Sequence, residues 1–187
     1  AIDDSTHLVT ILTNNGSGGF PSVQARFVPA VAYSVRAADF NGDGWLDIVS
    51  ANYVSNAVSL LTNGGNGVFT NSPLFFAVDG SPYSVATGDV NGDGLTDILS
   101  GSSAGTISVL TNNGAASFTL CSVANPFLGS ANSITTADMN GDGRLDIIGA
   151  HINAAKLSVL TNNGNGVFSL ASTPAVCCGP ICAAAAD

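Results

Sequence analysis

Aspartate and asparagine recur in one short pattern whose spacing suits a metal ion. The pattern Asp-x-Asn-Gly-Asp-Gly-x-x-Asp occurs three times, at residues 39–47, 89–97 and 138–146. Calcium in proteins takes about six to eight oxygen ligands from carboxylates, amide or backbone carbonyls and water. Each copy supplies three carboxylates and one amide oxygen within a single loop. The pattern therefore predicts three calcium sites, each holding one Ca²⁺ ion.

The predicted ligands occupy the same positions in every copy. Side chains at the first, third, fifth and ninth positions are expected to bind the ion directly. The seventh position differs in residue type between copies, so it is expected to contribute its backbone carbonyl. Glycine at the sixth position permits the sharp turn that brings the two arms of the loop together. The predicted ligands are Asp39, Asn41, Asp43, Trp45 and Asp47, then Asp89, Asn91, Asp93, Leu95 and Asp97, and then Asp138, Asn140, Asp142, Arg144 and Asp146.

Other interpretations of the loop fit its sequence less well. An EF-hand begins in a similar way but requires a bidentate acid at position 12 of its loop. That position is Ser50, Ser100 or Gly149 here, and the residues around it are typical of a strand. Magnesium is disfavoured because it demands a stricter octahedron and retains its water ligands. A solvated turn without metal is the remaining alternative, and the recurrence of every side-chain ligand in three copies argues against it.

The charge of the chain is concentrated in these loops. All 13 acidic residues are aspartates, nine of them lie in the three loops, and the formal net charge is −9. Three bound Ca²⁺ ions would bring that charge from −9 to −3. Four Lys and Arg residues are too few for the basic patch of a nucleic-acid-binding protein. No apolar run approaches the ~18 residues of a membrane-spanning helix.

A second repeated element indicates what positions the loops. Leu-Thr-Asn-x-Gly, with a phenylalanine downstream, occurs four times. Its copies begin at Leu12, Leu61, Leu110 and Leu160 and close with Phe20, Phe69, Phe118 and Phe168. We interpret it as a turn whose phenylalanine packs into the core. Alternating apolar residues between such turns predict short strands, and the absence of Glu removes a common helix former.

The two repeats divide the chain into units of about 49 residues. Three full units, each with four strands, are predicted at about residues 33–81, 82–131 and 132–170. Residues 1–32 are expected to hold the last two strands of a further unit. Residues 171–187 form a Cys- and Ala-rich tail that is predicted to match no part of the repeat.

The triplicated loop between strands, in a repeat near 50 residues, resembles the FG-GAP/VCBS repeat of integrin α-subunit propellers and many secreted bacterial proteins. This resemblance implies four-stranded antiparallel blades with calcium in the loop that joins the first two strands. We therefore predict an all-β fold, a partial or open β-propeller-like array of about three and a half blades. Closed propellers typically have about 4–8 blades, so the array is expected to remain open.

The four cysteines are expected to form two disulfides. Their even number in a chain of secreted character favours this, with the tail tied to Cys121. Free or metal-binding thiols are the alternative, although the spacing of Cys177, Cys178 and Cys182 matches no zinc pattern.

The sequence favours a non-enzymatic, secreted or cell-surface protein that binds calcium. A chain without Glu, and with four aspartates outside the loops, offers no evident carboxylate pair for glycoside hydrolysis. The open ends of the array predict a homo-oligomer assembled head to tail, as in a filament or surface layer. The alternative is an adhesion or lectin-like module that binds a glycan or surface protein, and this alternative includes a fragment of a larger propeller. Trp45, Tyr33, Tyr53 and Tyr83 are its candidate contact residues, although the tyrosines are expected to pack between blades.

Overall fold

The computed structural model describes residues 2–3, 7–28, 31–65, 67–123 and 129–185. These residues form fifteen strands and one short 3₁₀ helix. The strands are Ile2–Asp3 (β1), Leu8–Thr13 (β2), Ser22–Phe27 (β3), Ala32–Ala38 (β4), Asp47–Asn52 (β5), Ala57–Leu61 (β6), Leu74–Ala77 (β7), Pro82–Gly88 (β8), Asp97–Ser102 (β9), Ile107–Asn112 (β10), Phe118–Val123 (β11), Ser133–Ala137 (β12), Asp146–His151 (β13), Lys156–Asn162 (β14) and Phe168–Ser172 (β15), and the helix is Ile152–Ala154.

The strands form four antiparallel sheets that follow one another along the chain. Sheet 1 contains β1–β3, sheet 2 contains β4–β7, sheet 3 contains β8–β11 and sheet 4 contains β12–β15. The first strands of neighbouring full sheets lie side by side, since β8 contacts both β4 and β12. This is the arrangement of propeller blades around an axis, and within the described residues the series does not close. The predicted all-β, open, propeller-like fold is confirmed.

The core lies between the sheets. Side chains alternate across a strand, so successive residues of β9 face opposite neighbours. Ile98 packs in a cluster between sheets 2 and 3, and Leu99 packs in the next cluster, between sheets 3 and 4. A third cluster, which includes Val9 and Leu61, joins sheet 1 to sheet 2. Strands in the middle of the series are therefore buried on both faces.

Sheet 1 has one more strand than the sequence predicts. The two expected strands of residues 1–32 are β2 and β3, and β1 adds a two-residue pairing of Ile2 with Val9 and Asp3 with Leu8. The same positions in sheet 2 pair Ala51 with Val58. β1 therefore occupies the end of the second-strand position, and a two-residue strand is too short to show an alternating pattern in sequence.

The start of the C-terminal tail follows the backbone path by which the chain leaves an earlier sheet. Ala175 bridges to Lys156, and the Val176 N–H donates to the Ala155 carbonyl at 2.9 Å. In sheet 2 the Val78 N–H donates to the Asn56 carbonyl at 3.0 Å in the same way. The tail thus takes the path by which the chain leaves one sheet for the next. Cysteine and alanine at the positions that follow hide this likeness in the sequence.

The predicted disulfides are not formed in this structure. All four cysteine thiols are exposed and free. Cys121 lies on β11 of sheet 3, whereas Cys182 lies beside Ser133 at the start of sheet 4. The expected link between the tail and Cys121 would have to join two different sheets.

The described residues contain no helix that is long and apolar enough to cross a membrane. The three full units were predicted at residues 33–81, 82–131 and 132–170. The strands of the three full sheets span residues 32–77, 82–123 and 133–172. Residues 124–128 of the second unit and 186–187 of the tail lie outside the described part of the chain.

Candidate metal centres

Each aspartate loop joins the first strand of a full sheet to the second. The loops lie between β4 and β5, between β8 and β9, and between β12 and β13. The Asn-Gly turn between the third and fourth strands lies at the same end of each sheet. All three candidate metal centres therefore lie at the corresponding ends of their sheets, each beside the Asn-Gly turn of the same sheet.

The first aspartate of each loop organises the backbone around it. Asp39 Oδ1 accepts hydrogen bonds from the N–H groups of Asn41 (3.2 Å) and Gly42 (2.7 Å), and its Oδ2 accepts one from Gly44 (2.8 Å). Gly42 and Gly44 have φ of +78° and +86°, a conformation that residues with a Cβ rarely adopt. The two glycine contacts recur around Asp89 and Asp138.

The third and fifth positions complete the exposed part of the loop. Asn41 Oδ1 accepts the Asp43 N–H at 2.9 Å, and Asn41 Nδ2 donates to Asp43 Oδ2 at 2.9 Å. Asp43 Oδ1 accepts the Trp45 N–H at 2.8 Å. These bonds recur in the other two loops with distances between 2.8 and 3.1 Å. The first, third and fifth side chains therefore share one compact turn.

The ninth position lies beneath the loop. Asp47 is fully buried, and its two carboxylate oxygens accept the Phe40 N–H at 3.2 Å and the Asn63 N–H at 2.7 Å. Asp97 and Asp146 are equally buried and accept the corresponding N–H groups of their own sheets. This residue therefore ties the loop to the turn that follows the third strand, a contact that the sequence did not predict.

The pKa values of Asp39, Asp47 and Asp97 are shifted, and the shifts have two different causes. Burial raises the pKa of Asp47 above its usual value, which hydrogen bonds from Asn63 and Phe40 oppose and repulsion from Asp43 and Asp39 reinforces. Burial also raises the pKa of Asp97. Desolvation likewise acts to raise the pKa of Asp39, but the N–H groups of Gly44 and Gly42 outweigh it and the pKa is lowered.

Two of the three seventh-position side chains lie over the turn between the third and fourth strands of their own sheet. The Trp45 indole Nε1 would be 3.3 Å from a Cβ built on Gly65, and the Arg144 guanidinium carbon would be 3.6 Å from one built on Gly164. Each of these glycines has a positive φ and leaves room for the side chain above it. The backbone N–H of this position is held by the fifth-position aspartate. Its carbonyl stays a predicted ligand.

The donor set of each loop fits a hard divalent cation. Among the described residues no three acidic, His or Cys side chains converge closely enough to enclose an ion. A carboxylate oxygen has two lone pairs, however, and Asp39 Oδ2 and both oxygens of Asp43 and Asp47 each accept a single hydrogen bond. In the described residues the loop carboxylates have one ion pair, from Arg144 Nη1 to Asp142 Oδ2 at 3.9 Å. The three carboxylates of each loop therefore retain lone pairs and negative charge with which to bind a cation.

In two of the four Leu-Thr-Asn turns, the asparagine connects neighbouring sheets. Asn112 Nδ2 donates to the Thr96 carbonyl of its own sheet at 3.0 Å and to the Phe40 carbonyl of the preceding loop at 2.9 Å. Asn162 makes the same pair of bonds to Leu145 and to Val90 of the second loop. The repeated sequence of this element predicts a turn, and it was not predicted to form a hydrogen bond between sheets. The available signal was the recurrence of the asparagine in all four copies.

Comparison with solved structures supports the propeller-like fold. An Agrocybe aegerita lectin, solved for its specific recognition of non-reducing terminal N-acetylglucosamine, is 24% identical with a TM-score of 0.60. That match covers 90% of this chain and 46% of the lectin. BBS1N in complex with ARL6DN is 13% identical with a TM-score of 0.61, over 97% of this chain and 50% of that one. The chain therefore spans about half the length of the solved structures that it matches.

The sequence comparisons point to one repeat family. No curated protein matches the chain. The FG-GAP-like repeat matches it three times in overlapping segments, at residues 1–50, 39–100 and 89–149. Each aspartate loop falls within at least one of these segments. The chain therefore belongs to the FG-GAP-like repeat family.

Proposed function

We propose that this chain is a non-enzymatic extracellular repeat protein in which three Ca²⁺ ions, one per aspartate loop, order the stacked sheets. The observation that carries the proposal is the buried ninth-position aspartate, exemplified by Asp47, which connects each loop to the core of its sheet. Repeats of this family are typical of extracellular proteins and of folds without catalytic activity. When bound, calcium supplies positive charge between side chains that otherwise repel one another.

In this proposal, the hydrogen bonds from Asn112 and Asn162 to the preceding loops couple calcium binding to the packing of the sheets. A loop that rearranges without its ion would move the Phe40 or Val90 carbonyl away from the asparagine of the next sheet. An ion that binds the folded chain alone stabilises it by about 2.7 kcal/mol per site when its concentration is 100 times Kd. Three such sites make a large share of the stability of a domain, which is about 5–15 kcal/mol.

Calorimetric titration and thermal unfolding test the calcium proposal. The chain is expected to bind three Ca²⁺ ions, to melt at a higher temperature in calcium than in EGTA, and to be stabilised far less by Mg²⁺ at the same concentration. Asp43→Asn should reduce the stoichiometry to two or sharply weaken one site. Asp79→Asn, which removes the same charge outside the loops, is the matched control and should still bind three. An unchanged melting temperature in excess chelator would refute the proposal.

We also propose that copies of the chain assemble head to tail, as in a filament or surface layer. Leu12 and Phe20 of sheet 1 are 50% and 55% exposed, whereas their repeat counterparts Leu61 and Phe69 are 1% and 8% exposed. Val23, which pairs with Leu12, is exposed on the same face. This outer face of sheet 1 has the composition of a buried inter-sheet face, and burying each large side chain there fully contributes about 1.5–3 kcal/mol.

The opposite end of the array offers the complementary face. Leu157 and Val159 of β14 are partly exposed, whereas their counterparts Ile107 and Val109 are fully buried between sheets 3 and 4. Because the two end faces differ, contact between them is heterologous, and repeated contact gives rings or filaments.

Sedimentation velocity at tens of micromolar protein tests the assembly. In calcium the chain should sediment as oligomers larger than one copy, and Leu12→Lys should shift it towards the monomer. Val54→Lys is the control, since Val54 is 69% exposed and lies in a loop of sheet 2 away from both end faces. A monomer in calcium at that concentration overturns head-to-tail assembly without affecting the calcium proposal.

A glycan or surface-protein ligand is the second candidate function, and the tyrosines favour it. Tyr33, Tyr53 and Tyr83 form one cluster, with ring centroids 5.0–5.3 Å apart, at the end of the sheets opposite the aspartate loops. Tyr33 is half exposed, and exposed aromatic rings are common contacts for sugars. A glycan array with the chain and with Tyr33→Ala tests this, because a binding signal that the substitution leaves unchanged would exclude the cluster.

A further inference from the structure

Residues 180–185 of the tail occupy the position at which the first strand of another sheet would begin. In sequence, Ala175-Val176 corresponds to Ala77-Val78, and Pro180-Ile181-Cys182-Ala183 corresponds to Pro82-Tyr83-Ser84-Val85. The spacing from the proline to the next loop aspartate is also kept, since Asp187 follows Pro180 by the same interval as Asp89 follows Pro82.

Hydrogen bonds place the tail in the same register as the first strands. The Val85 N–H donates to Ser34 Oγ at 3.3 Å, and the Ile134 N–H donates to Ser84 Oγ at 3.1 Å. The Ala183 N–H donates to Ser133 Oγ at 3.4 Å, which is the next step in that series. The tail therefore packs against β12 in the way that β12 packs against β8.

Sheet 1 lacks the element that the tail resembles. Its strands correspond to the end of a second strand and to complete third and fourth strands, with no first strand in the described residues. Beyond the end of β1, a groove of about 330 Å³ lies between β2 and β4, at the rest of the second-strand position of sheet 1 and next to where a first strand would run. The apolar side chains Val9, Ile11, Val35 and Ile48 line it together with Arg36.

We infer that, in a head-to-tail assembly, residues 180–185 of one copy form the first strand of sheet 1 of the next copy. This inference rests on the proposed assembly and specifies how the two ends fit. The occupant is a second copy of this chain, because its tail already has the hydrogen-bonding register of a first strand and sheet 1 is the one described sheet without one. The junction then repeats the inter-sheet contact found three times within the chain.

The repeat fixes which residues should meet at the junction. Ser34 and Ser84 pair with Ala51 and Gly101 in their own sheets, and Ile2 occupies the position of Ala51 in sheet 1. Cys182 replaces that serine in the tail, so it should lie opposite Ile2 of the next copy. Directly opposed antiparallel residues have Cα atoms about 4.5–5.5 Å apart, which is within the range that a disulfide spans.

Disulfide trapping in calcium tests the inference in the full chain. The background carries Cys121→Ser, Cys177→Ser and Cys178→Ser and retains Cys182, and Ile2→Cys is added to it. Mild oxidation should convert most of this variant into covalent oligomers on a non-reducing gel. Val54→Cys in the same background, in a loop of sheet 2 away from both end faces, should give at least tenfold less covalent product.

Sedimentation of the same variants separates the two proposals. If the variant assembles in calcium but Ile2→Cys cross-links no more than Val54→Cys, strand donation is overturned and head-to-tail assembly remains. If the background and unmodified chains are both monomeric, assembly and strand donation are overturned together. Covalent oligomers that form with Ile2→Cys, and that reduction converts to single chains on the gel, are the result that the inference requires.

Discussion

The asparagine of the Leu-Thr-Asn turn gives a graded test of how the sheets hold together. Asn112 is almost completely buried, and its side chain donates to the Phe40 and Thr96 carbonyls and accepts the Gly114 N–H at 2.9 Å. Asn112→Ala removes all three bonds. At a net value of about 1 kcal/mol for each, the free energy of unfolding should fall by about 3 kcal/mol.

The other copies of this asparagine make fewer side-chain bonds and supply the controls. Asn63 is bonded to the Leu46 carbonyl and the Gly65 N–H, and the described residues give its side chain no bond to another sheet. Exposed Asn14 is bonded to the Gly16 N–H. Alanine substitutions should therefore cost about 2 kcal/mol at Asn63 and less than about 1 kcal/mol at Asn14.

Urea unfolding in saturating calcium, at a protein concentration below assembly, measures this series. A change of about 1 kcal/mol shifts the midpoint of thermal unfolding by about 2–4 °C in a protein of this size, so Asn112→Ala should melt about 6–12 °C lower. Asn162→Ala should match it, since Asn162 repeats its contacts. Equal losses at Asn14 and Asn112 would show that the bond between sheets contributes nothing and would refute the reasoning.

Three further predictions concern single residues. Gly101→Ala should destabilise the chain by about 1–3 kcal/mol in urea unfolding, because the new Cβ would lie 2.8 Å from Ile134 Cγ2 across sheets 3 and 4. Gly44→Ala meets no atom within 4 Å but forces a non-glycine residue to φ +86°, so it should cost about 1–2 kcal/mol and weaken calcium binding in calorimetry. Burial lowers the pKa of His151 below its usual 6.5, so the unfolded chain binds more protons below that pH. Stability should therefore be constant with respect to this group above pH 6.5 and fall as the pH drops below it, and His151→Gln should remove that part of the pH dependence.

The sequence predicted the repeated parts of the fold because repetition makes their physical pattern visible. The aspartate loops and the alternating residues of strands such as β6 and β10 recur at a fixed interval, so their places in the sheets could be predicted. The side-chain oxygens at the first, third and fifth positions do share one turn. Ligand binding by those oxygens stays a prediction.

The features that were missed depend on contacts between distant segments. Asp47 faces the backbone of the Asn63 turn, and nothing in a nine-residue pattern indicates a bond across sixteen positions. Asn112 bonds to Phe40 across 72 positions, which local turn rules cannot reveal. The likeness of the tail to β8 is hard to see in the sequence because cysteine and alanine replace the serine and valine of β8, and only Ala175-Val176 and Pro180 keep the residues of the repeat.

The links made by Asn112 and Asn162 run in one direction, and this gives the array a polarity. The first two loops are each clamped by the asparagine of the following sheet, whereas no such asparagine follows the third loop in the described part of the chain. As calcium is depleted, ions should leave in order, beginning with the loop at residues 138–146, and fraying should spread backwards from sheet 4. In a junction between copies, Asn14 of the incoming copy is the counterpart that would clamp this last loop. Retention of the third ion would then report whether a copy lies inside an assembly or at its end.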